Sequence, residues 1–136
     1  MAWIIYQFSD ERGDGVLDVW FRKARIQKTA RIRLDQKVDM LAMYGPVLPP
    51  QLLAGPVCDH IYKLKVKASG IQLRPHLCKG PIDNNNEFTF LCGAIEKDDA
   101  LDPPDVCERS QANRETILKD NRRRKSYERL IPEAQG

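Results

Sequence analysis

Alternating apolar and charged positions mark the middle of the chain, in the stretch YKLKVKASGIQLRPHL from Tyr62 to Leu77. Successive side chains of a β-strand point to opposite faces, so the apolar residues of this stretch share one face and the polar residues share the other. Ser69-Gly70 fits a two-residue hairpin turn between the two halves. The register set by that turn pairs Lys67 with Gln72, Lys65 with Arg74 and Lys63 with His76.

This hairpin carries a strongly basic polar face. Like charges directly opposite each other across a ladder are destabilising, so either solvent with counterions or an anionic partner must balance them. Lys65 and Arg74 have no acidic neighbour on that face within the hairpin, and removal of Arg74 is therefore expected to relieve repulsion. For Lys63 and Lys67, a solvated strand face that discourages edge-to-edge pairing is an equally good explanation.

The N-terminal third predicts a strand followed by two helices. The stretch AWIIYQF is rich in β-branched and aromatic residues, as strands are. From Val16 to Tyr44 the apolar positions recur with helical spacing, but they form two offset stripes. We therefore expect a helical hairpin, with Thr29 as the N-cap of the second helix and Gly45-Pro46 as its end. The two stripes consist of Val16, Trp20 and Ala24, and of Leu34, Val38 and Leu41.

The C-terminal half predicts a central strand and a last helix. Glu87–Ile95 is apolar on both faces, which is typical of a strand covered on both sides. An acidic loop follows, and Asp102 with Pro103 or Pro104 indicates a helix start, with the helix running to about Leu130. The fold class expected is α+β, a small and mostly antiparallel sheet packed against an N-terminal helical hairpin, with a C-terminal helix.

Composition adds few constraints to this picture. The 136 residues, with 42% hydrophobic and 30% charged residues and a net charge of +3, fit one domain spanning 1–136 whose basic tail from about 120 to 136 is flexible. No apolar run is long enough to span a membrane, and MAWIIYQF lacks the basic start of a signal peptide. We therefore expect a cytoplasmic protein without membrane attachment.

The cysteines and histidines predict neither a metal site nor disulfides. The four cysteines lack a C-x-x-C pair, and the two histidines do not complete a zinc-like spacing. In a reducing compartment all four are expected to be free thiols, mostly buried. The acidic set Asp98, Asp99, Asp102 and Asp105 is better explained by helix capping than by a divalent cation. No cofactor motif, such as a Gly-rich phosphate loop or a dinucleotide fingerprint, is present.

The order of elements and three stretches resemble a known family. IYKLKVKASGIQLRPHL, FTFLCGAIEKD and RRRKSYERL are similar to segments of the RelE/ParE toxin superfamily, closest to the phage-associated, HigB-like branch of bacterial type II toxins. Members of that branch typically show an I-Y-E-L-R strand, a following strand with an arginine, and a strand ending in H-G-F-x-K-K.

The resemblance implies a metal-independent endoribonuclease that cleaves mRNA on the ribosome. The 2′-hydroxyl attacks the adjacent phosphate, basic side chains stabilise the charge on the phosphorane, and one group transfers a proton. It also implies a cognate antitoxin, a small helix-turn-helix protein, as the partner.

Carried over residue by residue, the resemblance assigns roles to several side chains. Lys65 and Arg74 would clamp phosphate, and Lys97 matches the first lysine after the third strand. Tyr127 would stack on or orient a base, and His76 would transfer a proton, although an ordinary surface histidine is the simpler interpretation. The remaining basic residues would bind RNA, although a solvated helix end is the simpler interpretation of the last four. They are Lys63, Lys67, Arg122, Arg123, Arg124 and Lys125.

The chain also departs from the family pattern. Cys92 and Ala94 stand where relatives have a histidine and an aromatic residue, and Asp98 replaces the second lysine. An acidic loop beside an RNA-cleaving face repels phosphate. The alternative is therefore a non-catalytic binding protein of the RelE fold, either a phage regulatory protein or a ParE-like toxin directed at gyrase.

Overall fold

The structure, a computed structural model, describes residues 2–129. Its helices are α1 (Val16–Lys23), α2 (Lys28–Tyr44) and α3 (Val106–Lys119), with a short 3₁₀ helix at Gly45–Val47. The strands, in chain order, are β1 (Ile4–Phe8), β2 (Leu53–Cys58), β3 (Ile61–Leu64), β4 (Val66–Ala68), β5 (Ile71–Leu73), β6 (His76–Lys79), β7 (Glu87–Cys92), β8 (Ile95–Lys97), β9 (Ala100–Asp102) and β10 (Arg124–Ser126).

The strands form two sheets, one of six strands in the order β10-β1-β7-β6-β3-β2 and one of four in the order β4-β5-β8-β9. All pairs are antiparallel except β1 with β7, which run parallel. The chain passes from one sheet to the other at four places, between β3 and β4, between β5 and β6, between β7 and β8, and, through α3, between β9 and β10. The α+β class and the mostly antiparallel sheet are confirmed.

Strand β7 is the centre of the fold, because all six of its residues are buried. Phe88 and Phe90 belong to the core cluster that contains the apolar residues of α1 and α2. Leu91, on the opposite face of the strand, packs in a second cluster with Ile117 of α3. The six-stranded sheet is therefore covered by the helical hairpin on one face and by α3 on the other, as the double-sided apolar pattern predicts.

Strand β7 is followed by Gly93, a position where packing requires glycine. A Cβ added at Gly93 would lie 2.0 Å from the Trp20 side chain of α1. Only a residue without a side chain allows the indole this close to the backbone. This contact fixes α1 against the point at which the chain leaves the six-stranded sheet for β8.

The two predicted helices are confirmed, and one boundary differs from the sequence prediction. Helix α2 begins at Lys28 after Gln27, so Thr29 is not its N-cap. It ends at Tyr44, and Gly45 follows with a positive φ of 61°. The Gly45-Pro46 stop signal therefore acted as expected.

The predicted hairpin register is right at both ends and wrong in the middle. Ser69 and Gly70 both have positive φ, and Lys67 pairs with Gln72 and Lys63 with His76. Lys65 and Arg74 do not pair. The Lys65 amide donates to the carbonyl of Leu52 at 2.7 Å, and the Arg74 amide donates to that of Ala94 at 2.8 Å. Both amides bond to other strands because the hairpin divides between the two sheets here.

The C-terminal prediction needs three corrections. Helix α3 begins at Val106, later than the Asp102 start, and ends at Lys119, well before Leu130. Residues 124–126 then form β10 on the edge of β1, so this part of the expected flexible tail is a strand. Strands β2 and β9 were missed, because β2 contains Gly55-Pro56 and β9 lies in the acidic loop. The strand expected over Glu87–Ile95 ends at Cys92, and Ile95 begins β8 in the other sheet. Residues 130–136 lie outside the described residues.

None of the helices between residues 2 and 129 has the length and apolar content needed to cross a bilayer.

The prediction of four free thiols is wrong for one pair. Cys58, at the end of β2, forms a disulfide with Cys107, in the first turn of α3, with Cα atoms 6.4 Å apart. Helix α3 packs against β3, next to β2, and this tertiary contact brings the two cysteines together. Cys78 and Cys92 are free and buried, and burial raises the pKa of the Cys78 thiol to about 12 and that of the Cys92 thiol to about 11.

We predict that two thiols titrate when protein purified without reductant is denatured. Reduction should lower the free energy of unfolding by about 2–4 kcal/mol, because the open chain gains entropy when the cross-link is lost. Urea unfolding with and without dithiothreitol measures the difference. The double variant Cys58→Ser/Cys107→Ser is the control and should not respond to reductant. Four titrating thiols in the unreduced protein would contradict the disulfide.

Candidate functional site

A strongly basic concavity lies between α2, the edge strand β4 and the start of β2. Its volume is about 380 Å³. Five of the seven residues that line it carry positive charge, and we call it the basic cleft. It is lined by Arg33, Lys37, Gln51, Leu52, Lys65, Lys67 and Arg74.

Three elements bring these cations together. Arg33 and Lys37 lie one turn apart on α2, whose buried positions, such as Leu34 and Val38, face the core. Helix α2 packs against β4, which carries Lys67. Lys65 is positioned by the hydrogen bond from its amide to Leu52, which connects the end of β3 to the start of β2.

The positive charge of the cleft is largely uncompensated. We call four of its residues the outer cations: Arg33, Lys37, Lys65 and Lys67. Among the described residues, none of these four forms a salt bridge. Like charges one helical turn apart, or two residues apart on a strand, repel each other. An anion bound in the cleft would relieve that repulsion.

Arg74 differs from the other cations because it is buried and paired. Its Nε lies 3.3 Å from Glu96 Oε1, and its guanidinium donates to the carbonyl of Leu73 at 2.9 Å and to Gln72 Oε1 at 2.5 Å. Glu96 lies on β8, opposite Gln72. The partner of Arg74 therefore comes from a strand outside the hairpin, and the expectation of an unrelieved Lys65–Arg74 repulsion is wrong.

Lys63 shares this acidic partner. Its Nζ lies 3.9 Å from Glu96 Oε1, and it does not line the basic cleft. Glu96 therefore neutralises charge on the β3 side of the hairpin. The charges of the half-buried Lys65 and the exposed Lys67 are not neutralised by Glu96.

His76 is inside the protein, so the expectation of a surface histidine is wrong. Its side chain is fully buried, and Nδ1 lies 2.7 Å from the carbonyl oxygen of Arg74. Because a carbonyl only accepts, the proton is assigned to Nδ1, and Nε2 has no partner in the described structure. Burial lowers the pKa of His76, the bond to Arg74 opposes this shift, and the charge of Lys63 adds to it. A buried neutral imidazole has no access to a substrate in the cleft.

Tyr127 also lies away from the cleft. Its hydroxyl donates to Asp35 Oδ1 at 2.5 Å, and its ring lies 5.7 Å from the ring of Phe90. Burial and the Asp35 carboxylate raise the pKa of this phenol. Asp35 is on the buried face of α2, whereas Arg33 and Lys37 line the cleft from another face. The residue ties the C-terminal segment to the core.

The remaining predicted RNA-binding residues are dispersed. Lys97 is exposed at the end of β8 and does not line the cleft. Arg122 pairs with Asp120, Arg123 donates to the carbonyl of Ser9, and Arg124 pairs with Glu87. Lys125, next to Arg124 on β10, lies opposite Gln7 of β1 in the strand register. Arg123, Arg124 and Lys125 hold β10 at one edge of the six-stranded sheet. Strand β2 and the basic cleft are at the other edge, five strand spacings or about 24 Å away.

Sequence reasoning missed Arg33 and Lys37. Their spacing of four residues, on a helix whose apolar stripe is otherwise regular, is a signal for a basic helix face. That this face forms part of a cleft is evident only from the fold, which places it beside Lys65 and Lys67.

Comparison of the chain with protein-family models, with curated proteins and with solved structures found no match. The relation to the RelE/ParE superfamily therefore stays a prediction from the sequence.

We predict that Arg74→Ala destabilises the protein by about 1–3 kcal/mol, since the partly buried Glu96 and the carbonyl of Leu73 lose a donor. Urea unfolding measures the change. Lys65→Ala, on the same cleft and without an ion pair, is the control and should leave stability within about 0.5 kcal/mol of the parent. A fully stable Arg74→Ala protein would show that the pair with Glu96 contributes nothing.

We also predict that His76 makes folding sensitive to acid. Its folded pKa is lowered, so below its ordinary value of 6.5 the unfolded chain binds a proton that the folded chain does not. Its contribution to stability is complete above pH 6.5 and is lost as the pH falls, at up to about 1.4 kcal/mol per pH unit.

The matched variant is His76→Asn, whose amide can still donate to Arg74. Urea unfolding of both proteins at several pH values isolates the histidine, because all other groups titrate in both. The stability of the parent relative to the variant should decrease as the pH falls below 6.5. A constant difference across that range would exclude this role for His76.

Proposed function

We propose that the basic cleft binds the phosphate backbone of single-stranded RNA, and that the protein is a RelE/HigB-like endoribonuclease toxin acting on mRNA. The observation that carries the proposal is the convergence on one cleft of four cations that form no salt bridge with other described residues, two from α2, one from β4 and one from the connection between β3 and β4. Phosphate is the anion that closely spaced lysine and arginine side chains bind best. The α+β order of elements, with the helical hairpin and the charged β-hairpin, also supports the proposal.

The cleft suits stabilisation of a phosphorane better than deprotonation of a nucleophile. Guanidinium groups stay protonated, so Arg33 supplies charge and hydrogen bonds but exchanges no proton. The lining side chains that can exchange one are the lysines, Lys37, Lys65 and Lys67. In this proposal the 2′-hydroxyl of the RNA attacks the neighbouring phosphate and releases its proton to solvent water, while the cations stabilise the charge that develops. The P–O5′ bond breaks, a lysine ammonium protonates the leaving 5′-oxygen, and the other product is a 2′,3′-cyclic phosphate.

The second candidate is RNA binding without cleavage, on the same fold. It is favoured by the positions of His76 and Tyr127, which lie outside the cleft, and by the pairing of Arg74 with Glu96. A non-catalytic RelE-fold binding protein would retain the four unpaired cations and lack cleavage. The partners proposed are mRNA with the ribosome and a helix-turn-helix antitoxin, and the place of action is the cytoplasm.

We predict that Lys65→Gln/Lys67→Gln weakens binding of a fluorescent single-stranded RNA at least about tenfold, since two charge-assisted contacts are lost. The slope of log affinity against log salt should fall by about 0.7 for each lost phosphate contact. Fluorescence anisotropy measures both quantities. The matched control is Lys23→Gln/Lys119→Gln, which removes equal charge from exposed ends of α1 and α3.

Cleavage is tested with the same variants. Induction of the parent protein should arrest growth and produce new mRNA ends, and the Lys65→Gln/Lys67→Gln protein should do neither. Tight RNA binding by the parent with normal growth and unchanged transcripts would select the non-catalytic candidate. If the parent binds RNA no better than the cleft variant does, both candidates are wrong.

A further inference from the structure

A second groove lies at the other end of β2. It has a volume of about 520 Å³ and is built from β2, the β2–β3 turn, β6, the turn before β7, and α3. We call it the polar groove. Its lining residues are Pro56, His60, Tyr62, Lys79, Asn84, Asn85 and Arg114.

The polar groove contains two cations and no carboxylate. Lys79 forms no salt bridge among the described residues, and its ammonium group lies 5.7 Å from the centre of the Tyr62 ring. Asp59 and Glu115 line a neighbouring cavity, which shares His60 and Arg114 with the groove. The groove itself is therefore positively charged.

Arg114 lacks a strong anionic partner despite its burial. Its side chain is 16% exposed, whereas Glu115, its nearest acid at 3.7 Å, is 61% exposed. Its Nε is buried without a hydrogen-bond partner in the described structure. A partly desolvated guanidinium is stabilised by an anion that neutralises its charge and accepts from its N–H groups, and Arg114 lines the groove, where such an anion can reach it.

The amide side chains of the groove are presented by an ordered turn. The carboxylate of Asp83 accepts from the amide of Asn85 at 3.1 Å, and the Thr89 hydroxyl donates to the carbonyl of Gly80 at 2.5 Å. Asn84 and Asn85 are exposed at this turn. Their NH₂ groups can donate to phosphate oxygens beside the two cations.

We propose that the polar groove is a phosphate-binding site, in which Lys79 and Arg114 neutralise the phosphate and the asparagine amides donate to its oxygens. The phosphate can belong to a nucleoside monophosphate or to an RNA strand that continues from the basic cleft. Between the two sites, Leu52 and Pro56 are about 13 Å apart along β2. The intervening edge exposes residues 55–57, and no acidic residue occurs from Gln51 to Cys58.

The experiment is a titration of the ¹⁵N-labelled full chain, followed by NMR, with inorganic phosphate, adenosine monophosphate and an oligouridine. Saturable shifts of the His60, Asn84 and Asn85 amides are expected. Lys79→Gln should weaken this binding at least about tenfold, because a charge-assisted contact is lost. Lys79→Arg should restore most of the affinity, and Lys119→Gln, exposed on α3, should leave it unchanged.

The three probes distinguish the sources of the phosphate. Saturable binding of phosphate or the monophosphate supports the site with a free ligand, and saturation by oligouridine alone supports it as part of an RNA path. Absence of saturable shifts with all three probes, or equal affinity in a folded Lys79→Gln protein, overturns the proposal. Because the readout is confined to this groove, a failure of RNA cleavage does not affect the test.

Discussion

The architecture depends on the double-sided burial of β7. A strand with no solvent-facing side chain must be covered on both faces, and the chain provides α1 and α2 for one and α3 for the other. Gly93 then lets Trp20 pack onto the backbone where the strand leaves the six-stranded sheet. The transition to β8 places Glu96 beside the β-hairpin, and through Arg74 this carboxylate determines which cations stay unpaired. The packing around β7 therefore determines which cations of the basic cleft lack a salt-bridge partner among the described residues.

The protein uses its positive charge in two physical ways. Arg31, Arg123 and Arg124 lie over aromatic rings or bond to carbonyls and carboxylates, and hold the C-terminal segment against the core. The four outer cations of the basic cleft have no such partners among the described residues, and their mutual repulsion is an energetic cost in the free protein. Planar guanidinium groups suit the first use, since they stack on rings and bond in several directions at once. Only cations of the second kind remain available for a bound anion.

Local periodicity predicted the helical hairpin, the central strand and both ends of the β-hairpin, because each depends on residues close in sequence. What the sequence could not show depends on partners distant along the chain. Glu96 pairs with Arg74, Cys58 with Cys107, and β10 with β1, and none of these contacts has a local signature. His76 alternates with apolar residues on its strand and reads as exposed, yet α3 covers that face. Likewise, two of the four outer cations of the basic cleft come from α2 and two from the hairpin, and sequence analysis found only those of the hairpin.

The parallel pairing of β1 with β7 has a consequence for biosynthesis. Ile4 lies opposite Glu87, so the first strand leaves the ribosome long before its neighbour exists. At about 5–20 residues per second, that wait lasts several seconds. During this time β1, α1 and α2 have no β7 to pack against, so their apolar side chains stay exposed. Chaperones recognise nascent chains in this state. The other neighbour of β1 is β10, which is made later still. The six-stranded sheet is therefore complete only after Ser126 has been translated, and every function that requires the complete sheet begins after that point.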